Sequence, residues 1–467
     1  MEAKAFSRKD TRCVYMETLR AYLDRKHEEI SLLNGCLRRP LALPPANSVP
    51  AIVNQKFQLA AALKAQHALD HWASTETAWA EKKDFYSGPF HFRYGYQRAD
   101  LTVSGPPIYP VLSALPPSVS QRTIYANSGM AAIAAMLSAL ERLRTPVEIV
   151  ALPGSYGETL ELIEDHAGNL KLLPAGKVPA LRSHPESLRI LWMDCCVAAA
   201  QFRQVMSFCA RSIDLVLFDT TGLWTGSGRV RRVLNWAFGE SVPVILLRSH
   251  TKLDSLGVEY GRLGSAVLLG DRTWRLGNRT MLEDLAQHAA DALRLFGGAA
   301  IPAHFPPFVG SGSYVTLNGR RIAAMLRNSR RTAARLMTAL PGVREFTHRL
   351  YVALASSRAL TEQQAKDLAG AMCRDLGDIG LPLRHAGSFG FDFAAAEWFH
   401  DTARDRHLVR VAVPDLPTEQ WDTIVAEIIR WWKENAGAES SRTRERRESI
   451  SRPAAARLWH TAANATM

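Results

Sequence analysis

Five short apolar runs constrain the fold most: Glu148-Ile149-Val150-Ala151-Leu152, Ile190 to Met193, Leu215-Val216-Leu217-Phe218, Val242 to Leu247 and Ser265-Ala266-Val267-Leu268-Leu269. They are separated by helical stretches such as Met130 to Leu143. Runs continuous in Val, Ile and Leu do not suit a half-solvated sheet; alternating with helices, they predict a parallel sheet covered on both faces. Ligands of such sheets bind beyond the C-terminal ends of the strands, so the residues that follow each run are the candidates for chemistry.

The chain has 467 residues, enough for two domains or one large domain with an appendage, and its 47% hydrophobic content supports a sizeable core. No stretch has the apolar length of a membrane span, and Met1 to Asp10 is charged where a secretory signal would be apolar, which predicts a cytoplasmic protein without a membrane partner. Cys13, Cys36, Cys195, Cys196, Cys209 and Cys373 are scattered and form no CxxC pair, so free thiols are expected and neither disulfides nor a metal site. The net charge of +12 suits nucleic acid or an anionic small molecule alike. Part of it is local to residues 436–467, a Ser- and Ala-rich tail predicted to be disordered. No helix-turn-helix, zinc-finger or RNA-binding signature accompanies the charge, which argues against nucleic acid.

Four regions follow. Residues 1–83 read as a helical extension, with helical spacing from about Ser7 to Leu33 and from Ile52 to Lys82 around a breaker zone at Pro40, Pro44, Pro45 and Pro50. Residues 84–300 form the large α/β domain and open on an aromatic stretch, 84–100, in which Arg93 and Arg98 alternate with Phe and Tyr. That stretch suits a loop over a flat phosphorylated cofactor, single-stranded nucleic acid, or plain packing on a core. Residues 301–435 form a smaller C-terminal α/β domain ending in a helix from Thr418 to Trp432, and 436–467 is the tail.

The strand ends carry the candidate groups. Lys252 lies just past Val242 to Leu247, among Ser249, Thr251 and the glycines Gly257 to Gly264. A lysine desolvated there is partly a neutral amine able to form a Schiff base, and one that stays solvated is only a strand-end lysine. Ser128-Gly129-Met130 opens a helix, offering free amides to a phosphate or simply an N-cap. Asp219 ends Leu215 to Phe218, where a buried carboxylate needs a positive partner, either a protonated ring nitrogen or a structural cation. Arg410, inside the strand-like His407 to Val413, needs an anion, which a substrate carboxylate or a structural acid would supply.

Taken in order, these pieces resemble the fold-type I pyridoxal 5'-phosphate (PLP) enzymes, aspartate aminotransferase-like in fold, and among them the cystathionine/methionine metabolism family. The resemblance covers about Tyr94 to Trp432. It implies that Tyr96 and Arg98 reach the phosphate of a neighbouring subunit's cofactor, and that Ser128, Gly129, Met130, Ser249 and Thr251 hold the phosphate. Tyr156, in Tyr156-Gly157-Glu158-Thr159, would stack on the pyridine ring; Asp219 would pair with its nitrogen, and Thr221 would contact the cofactor. Lys252 would carry the cofactor, while Ser388, in Ser388-Phe389-Gly390, and Arg410 would bind the substrate. Three departures mark a divergent member. Ala198 stands where the family has an Asn, Leu253-Asp254-Ser255-Leu256-Gly257 replaces Tyr-Leu-x-Gly-His, and Glu158 replaces a Gly or Cys.

The implied reaction begins when an L-amino acid displaces Lys252. The freed amine removes the α-proton, and a leaving group departs from Cγ or Cβ, by elimination or replacement, with Tyr156 or Glu158 assisting as acid or base. The departures point toward specialised metabolism, where the leaving group is sulfur, an ester or a halide. An aminotransferase on the same fold and a non-catalytic DNA-binding regulator are the competing expectations. A homodimer or homotetramer with shared sites is expected.

Overall fold

The computed structural model describes residues 16–71, 84–93, 102–105, 108–165, 169–174, 186–207, 212–274 and 276–436. Two helices, α1 (Leu19–Gly35) and α2 (Val49–Asp70), lead the chain, each opened by a hydroxyl N-cap, Thr18 and Ser48. The prolines between them are incompatible with a helix interior and keep the two separate.

The strands β1 (Asp84–Ser87), β2 (Phe90–Arg93) and β3 (Thr102–Ser104) pair into a small antiparallel sheet. The described part of the aromatic stretch is therefore a hairpin: Phe90 and Phe92 are buried against Phe305, with ring centroids 5.1 and 4.6 Å away. Core packing accounts for these two rings.

The large sheet is built from β4 (Val119–Ala126), β5 (Val147–Ala151), β6 (Leu170–Pro174), β7 (Leu188–Asp194), β8 (Leu215–Asp219), β9 (Val244–Ser249) and β10 (Gly264–Asp271). Its spatial order is β4-β10-β9-β8-β7-β5-β6, with β10 antiparallel to both neighbours and the other pairings parallel. The helices α3 (Gly129–Arg142), α4 (Gly157–Asp165), α5 (Ala199–Val205), α6 (Gly228–Gly239) and α7 (Leu276–Phe296) cross between strands or follow them. Two apolar clusters sandwich the sheet. Ile149, Trp192 and Leu217 pack with α3 and α7, and Leu191, Phe218 and Leu246 pack with α6. Alternate residues of β5, β7 and β8 thus face opposite layers, and both are dry, which is why the sequence reads as unbroken apolar runs.

The long helix α8 (Gly312–Ala339) leads to a five-stranded sheet of β11 (Arg344–Glu345), β12 (Tyr351–Leu354), β13 (Leu383–His385), β14 (Ala394–Asp401) and β15 (Arg406–Ala412), ordered β11-β12-β15-β14-β13. The helices α9 (Glu362–Asp378) and α10 (Thr418–Asn435) complete it, and Leu33, Ile52 and Leu59 of α1 and α2 share an apolar core with Leu354, Val409 and Trp421. The mainly parallel seven-stranded sheet followed by a smaller C-terminal α/β part is the architecture that the resemblance implies.

The reversal at β10 brings strand and helix into backbone contact. A Cβ at Gly264 would collide with the Ser128 carbonyl and come within 2.6 Å of the Gly129 nitrogen, backbone atoms that no rotamer change can move. Gly264→Ala is expected to lower the unfolding free energy by about 1–3 kcal/mol, the range for an overpacked core, as read by urea unfolding. A variant as stable as the parent would show that the contact is loose.

Candidate functional site

The strands β4, β5, β7, β8 and β9 run the same way, so their C-terminal ends share one edge of the sheet. A partly open cavity of about 250 Å³ lies there, lined by Ser128, Gly129, Met130, Tyr156, Glu158, Asp219, Thr221, Ser249, Lys252, Ser388 and Arg410. Every described candidate except Thr251 lines it. The Thr251 hydroxyl turns away to the Gly261 carbonyl, 3.4 Å distant. Tyr96 and Arg98 lie outside the described residues.

Lys252 lies three residues beyond β9, and its Nζ donates to Ser388 Oγ at 2.6 Å. Burial pushes the amine below its ordinary value, aided by Arg410 and opposed by Glu259 and Glu158. At the end of the neighbouring strand, the Asp219 carboxylate accepts the Thr221 amide at 2.8 Å and makes no salt bridge among the described residues. Burial, with Asp194 beside it in register, pushes Asp219 up to about 6. The Thr221 hydroxyl accepts the Ser249 amide at 3.0 Å, tying the two strand ends together.

The N-terminus of α3 forms one wall. The Ser128 hydroxyl caps it by accepting the Ala131 amide at 3.0 Å, and a Cβ at Gly129 would stand 2.8 Å from Ser249 Cβ. The glycine thus lets the helix start press against the end of β9, where its amides and positive dipole end face the cavity. Across from it, Tyr156 precedes α4, and its amide donates to Asp194 at 2.9 Å. Burial and the adjacent Glu158 push the Tyr156 hydroxyl above its ordinary range. Glu158 itself is exposed at the rim.

Arg410 reaches the cavity from β15 of the smaller sheet. Its Nη2 donates to Glu397, directly opposite on β14, at 2.7 Å and to the Gly387 carbonyl at 2.5 Å, and the guanidinium lies 5.3 Å from the Tyr351 ring centre. The anion that a strand arginine requires is therefore supplied in part by the protein.

Several lining residues carried no functional signal in the sequence. Cys195 and Cys196 follow β7, where buried thiols were expected; Cys195 Sγ accepts the Gly222 amide, while Cys196 reaches the cavity and accepts from the Tyr351 hydroxyl at 3.5 Å. Tyr351 comes from β12, too distant in the chain for any spacing to link it to the lysine. Arg248 could have been noticed as a charge inside an apolar run followed at a short interval by Asp254. It is fully buried, donates to Asp254 at 2.6 and 2.7 Å and holds the Thr220 and Leu223 carbonyls at 2.6 and 2.7 Å. Ala198 is the N-cap of α5, bridges to Phe346 and does not line the cavity.

No protein-family model and no curated protein matches the chain. Among solved structures it is similar to metB from Corynebacterium glutamicum, at 17% identity over 72% of this chain and 87% of that one, with a TM-score of 0.49. Cystathionine gamma-lyase from yeast matches at 16% identity over 66% and 81%, TM-score 0.46. Serine palmitoyltransferase from Sphingomonas wittichii matches at 16% identity over 67% and 72%, TM-score 0.47.

The buried Asp219 carboxylate gives the site a pH signature. Its folded value is raised above the unfolded one, so the stability it contributes is present below about pH 4 and is lost as the pH rises through about 6. In ligand-free protein, Asp219→Asn is expected to gain about 1–3 kcal/mol on the parent between about pH 4 and pH 7 in urea unfolding. A pH-independent difference would mean that the carboxylate is already matched by a cation.

Proposed function

We propose that the chain is a PLP-dependent enzyme acting on an L-amino acid, and within that class a lyase that expels a leaving group from Cγ or Cβ by elimination or replacement. The observation that carries the reading is the pairing, across one cavity, of a desolvated amine, Lys252, with a buried carboxylate, Asp219, that makes no salt bridge among the described residues. The remaining groups fit the cofactor. The amides of the α3 N-terminus, with Ser128, Gly129 and Ser249 around them, suit its phosphate. Asp219 suits a protonated pyridine nitrogen, the Tyr156 ring offers a stacking face, and Lys252 is the amine that would hold the aldehyde carbon.

Bound there, PLP supplies an electron sink beside the substrate Cα. The protein's part is positional and protonic. Arg410, fixed on one side by Glu397, offers its remaining donors to the substrate carboxylate. Ser388 holds the Lys252 amine in the cofactor-free protein and would release it to the cofactor. The lowered basicity of Lys252 raises its neutral fraction, so that it can take the α-proton and later return one. Tyr156, kept protonated by burial, and Glu158 at the rim are the groups beside which a leaving group would depart. Tyr96 and Arg98 would complete the phosphate site of a second subunit in a homodimer or homotetramer.

The test is the visible spectrum of protein supplied with PLP, before and after borohydride, with peptide mapping. A band that borohydride bleaches, leaving a pyridoxyl group on Lys252, is expected, followed by release of the leaving group from amino acids substituted at Cβ or Cγ. Keto acid formation without that release would make the protein an aminotransferase. Colourless protein with Lys252 unmodified would overturn the reading.

A further inference from the structure

The loop that carries Lys252 is held in an unfavourable conformation. Leu256 and Glu259 have φ of 51° and 45°, in the left-handed region that residues with a Cβ ordinarily avoid. Strain of this kind persists only where the surroundings impose it. At Leu256 the backbone is also held from α2, which belongs to the segment outside the resemblance.

Lys56 of α2 donates to the Leu256 carbonyl at 2.5 Å, so the strained residue is gripped directly. The same ammonium is paired with Glu29 of α1 at 2.8 Å, and Glu29 with Lys26 at 3.0 Å. Lys26 in turn pairs with Asp392 and, at 2.8 Å, with Asp415. Arg321 of α8 closes the ring: it lies 3.5 Å from Asp392 and donates to the Gly390 carbonyl at 2.6 Å. All six side chains are buried.

This network therefore touches both sides of the site. Lys56 holds the backbone four residues after Lys252, and Arg321 holds the backbone two residues after Ser388, the hydroxyl that receives the Lys252 amine. The two loops also meet directly, since a Cβ at Gly390, where φ is 88°, would stand 2.8 Å from the Lys252 carbonyl. Buried ions lose hydration, and an apolar contact of equal size would often be as stable or more so. An ionic network gives direction instead, because its bonds fix where each backbone carbonyl lies.

We infer that the N-terminal helical pair is part of the site, and that Lys56 is a positioning residue that, through Leu256 and the Glu29 and Asp392 carboxylates, sets the placement and desolvation of Lys252. The inference rests on Lys252 being the reacting amine. The charged groups facing that amine are Glu259 on its own loop, Glu158 from α4, Arg410 from β15 and Asp219 from β8. Glu259 moves with the loop that Lys56 holds and lines the same cleft as Lys56, whereas Glu158, Arg410 and Asp219 sit on other elements.

Lys56→Met in the full chain tests this, with Lys252 reactivity read by pulsed acetylation and mass spectrometry across pH, on protein without added PLP. The loosened loop admits water to the amine, and the midpoint of the Lys252 profile is expected to move up toward that of an ordinary lysine. At a pH below the midpoint the reactive fraction then falls by about threefold or more. A variant that melts lower but has an unchanged Lys252 profile would overturn the inference and leave Lys56 structural. Should Lys56→Met not fold, native-state hydrogen exchange of the parent decides. Peptides of α2 and of residues 252–258 are expected to open in one denaturant-dependent step, and α2 opening first with the loop still protected would overturn the proposal. Failure of the borohydride test would remove the function without changing either readout.

Discussion

The buried Arg248–Asp254 pair is the interaction on which the lysine loop depends. The chain leaves β9 at the sheet edge, carries Lys252 into the cavity and returns as the reversed strand β10 within 14 residues, from 250 to 263. Asp254 accepts two bonds from Arg248 and one from His250 at 2.7 Å, and His250 meets Ser265 at 2.8 Å. The loop is thus pinned to the strand it leaves and to the strand it enters. Arg248 holds Asp254 down to about 2 despite full burial, so the pair stays charged throughout the neutral range. Breaking such a pair would strand one charge in the core, at a cost of about 3–5 kcal/mol.

Charge is divided unevenly across this end of the sheet. Arg248 satisfies Asp254 and two carbonyls, and spends its donors there, although it lies near Asp219. Asp219 is left with an amide bond and a raised value, beside a second buried acid, Asp194, whose lone pairs the Tyr156 and Cys196 amides occupy. A cation brought into the cavity would therefore meet one carboxylate ready for it. On the other wall Arg410 is half-neutralised by Glu397, an arrangement that fixes the guanidinium in place while keeping it in the lining.

Much of this is legible in the sequence because a parallel sheet places its ligand at strand ends. That Asp219, Ser249 and Lys252 line the cavity at the sheet edge could be expected from the apolar runs before them, and that Ser128 and Gly129 do so from the helix after them. What the sequence conceals is pairing across long separations. Glu397 opposite Arg410, Tyr351 beside Cys196, and Lys56 on the Leu256 carbonyl each depend on tertiary register. Thr251 reads as well as Ser249 does, but the turn points its hydroxyl at Gly261. β4 escapes notice for another reason: as an edge strand it exposes Gln121, Arg122 and Thr123, so it has no apolar run. The antiparallel sense of β10 is hidden too, since a buried strand is equally apolar in either direction.

On the proposed function, Lys252, Asp219 and the α3 N-terminus converge on one bound cofactor. A crystal structure of the protein grown with PLP tests it most directly. Density continuous with Lys252 Nζ is expected, with a ring nitrogen at the Asp219 carboxylate and a phosphate at the amides of Gly129 and Met130. PLP bound away from this edge of the sheet, or Lys252 still on Ser388 with the cavity empty of it at saturating cofactor, would contradict it.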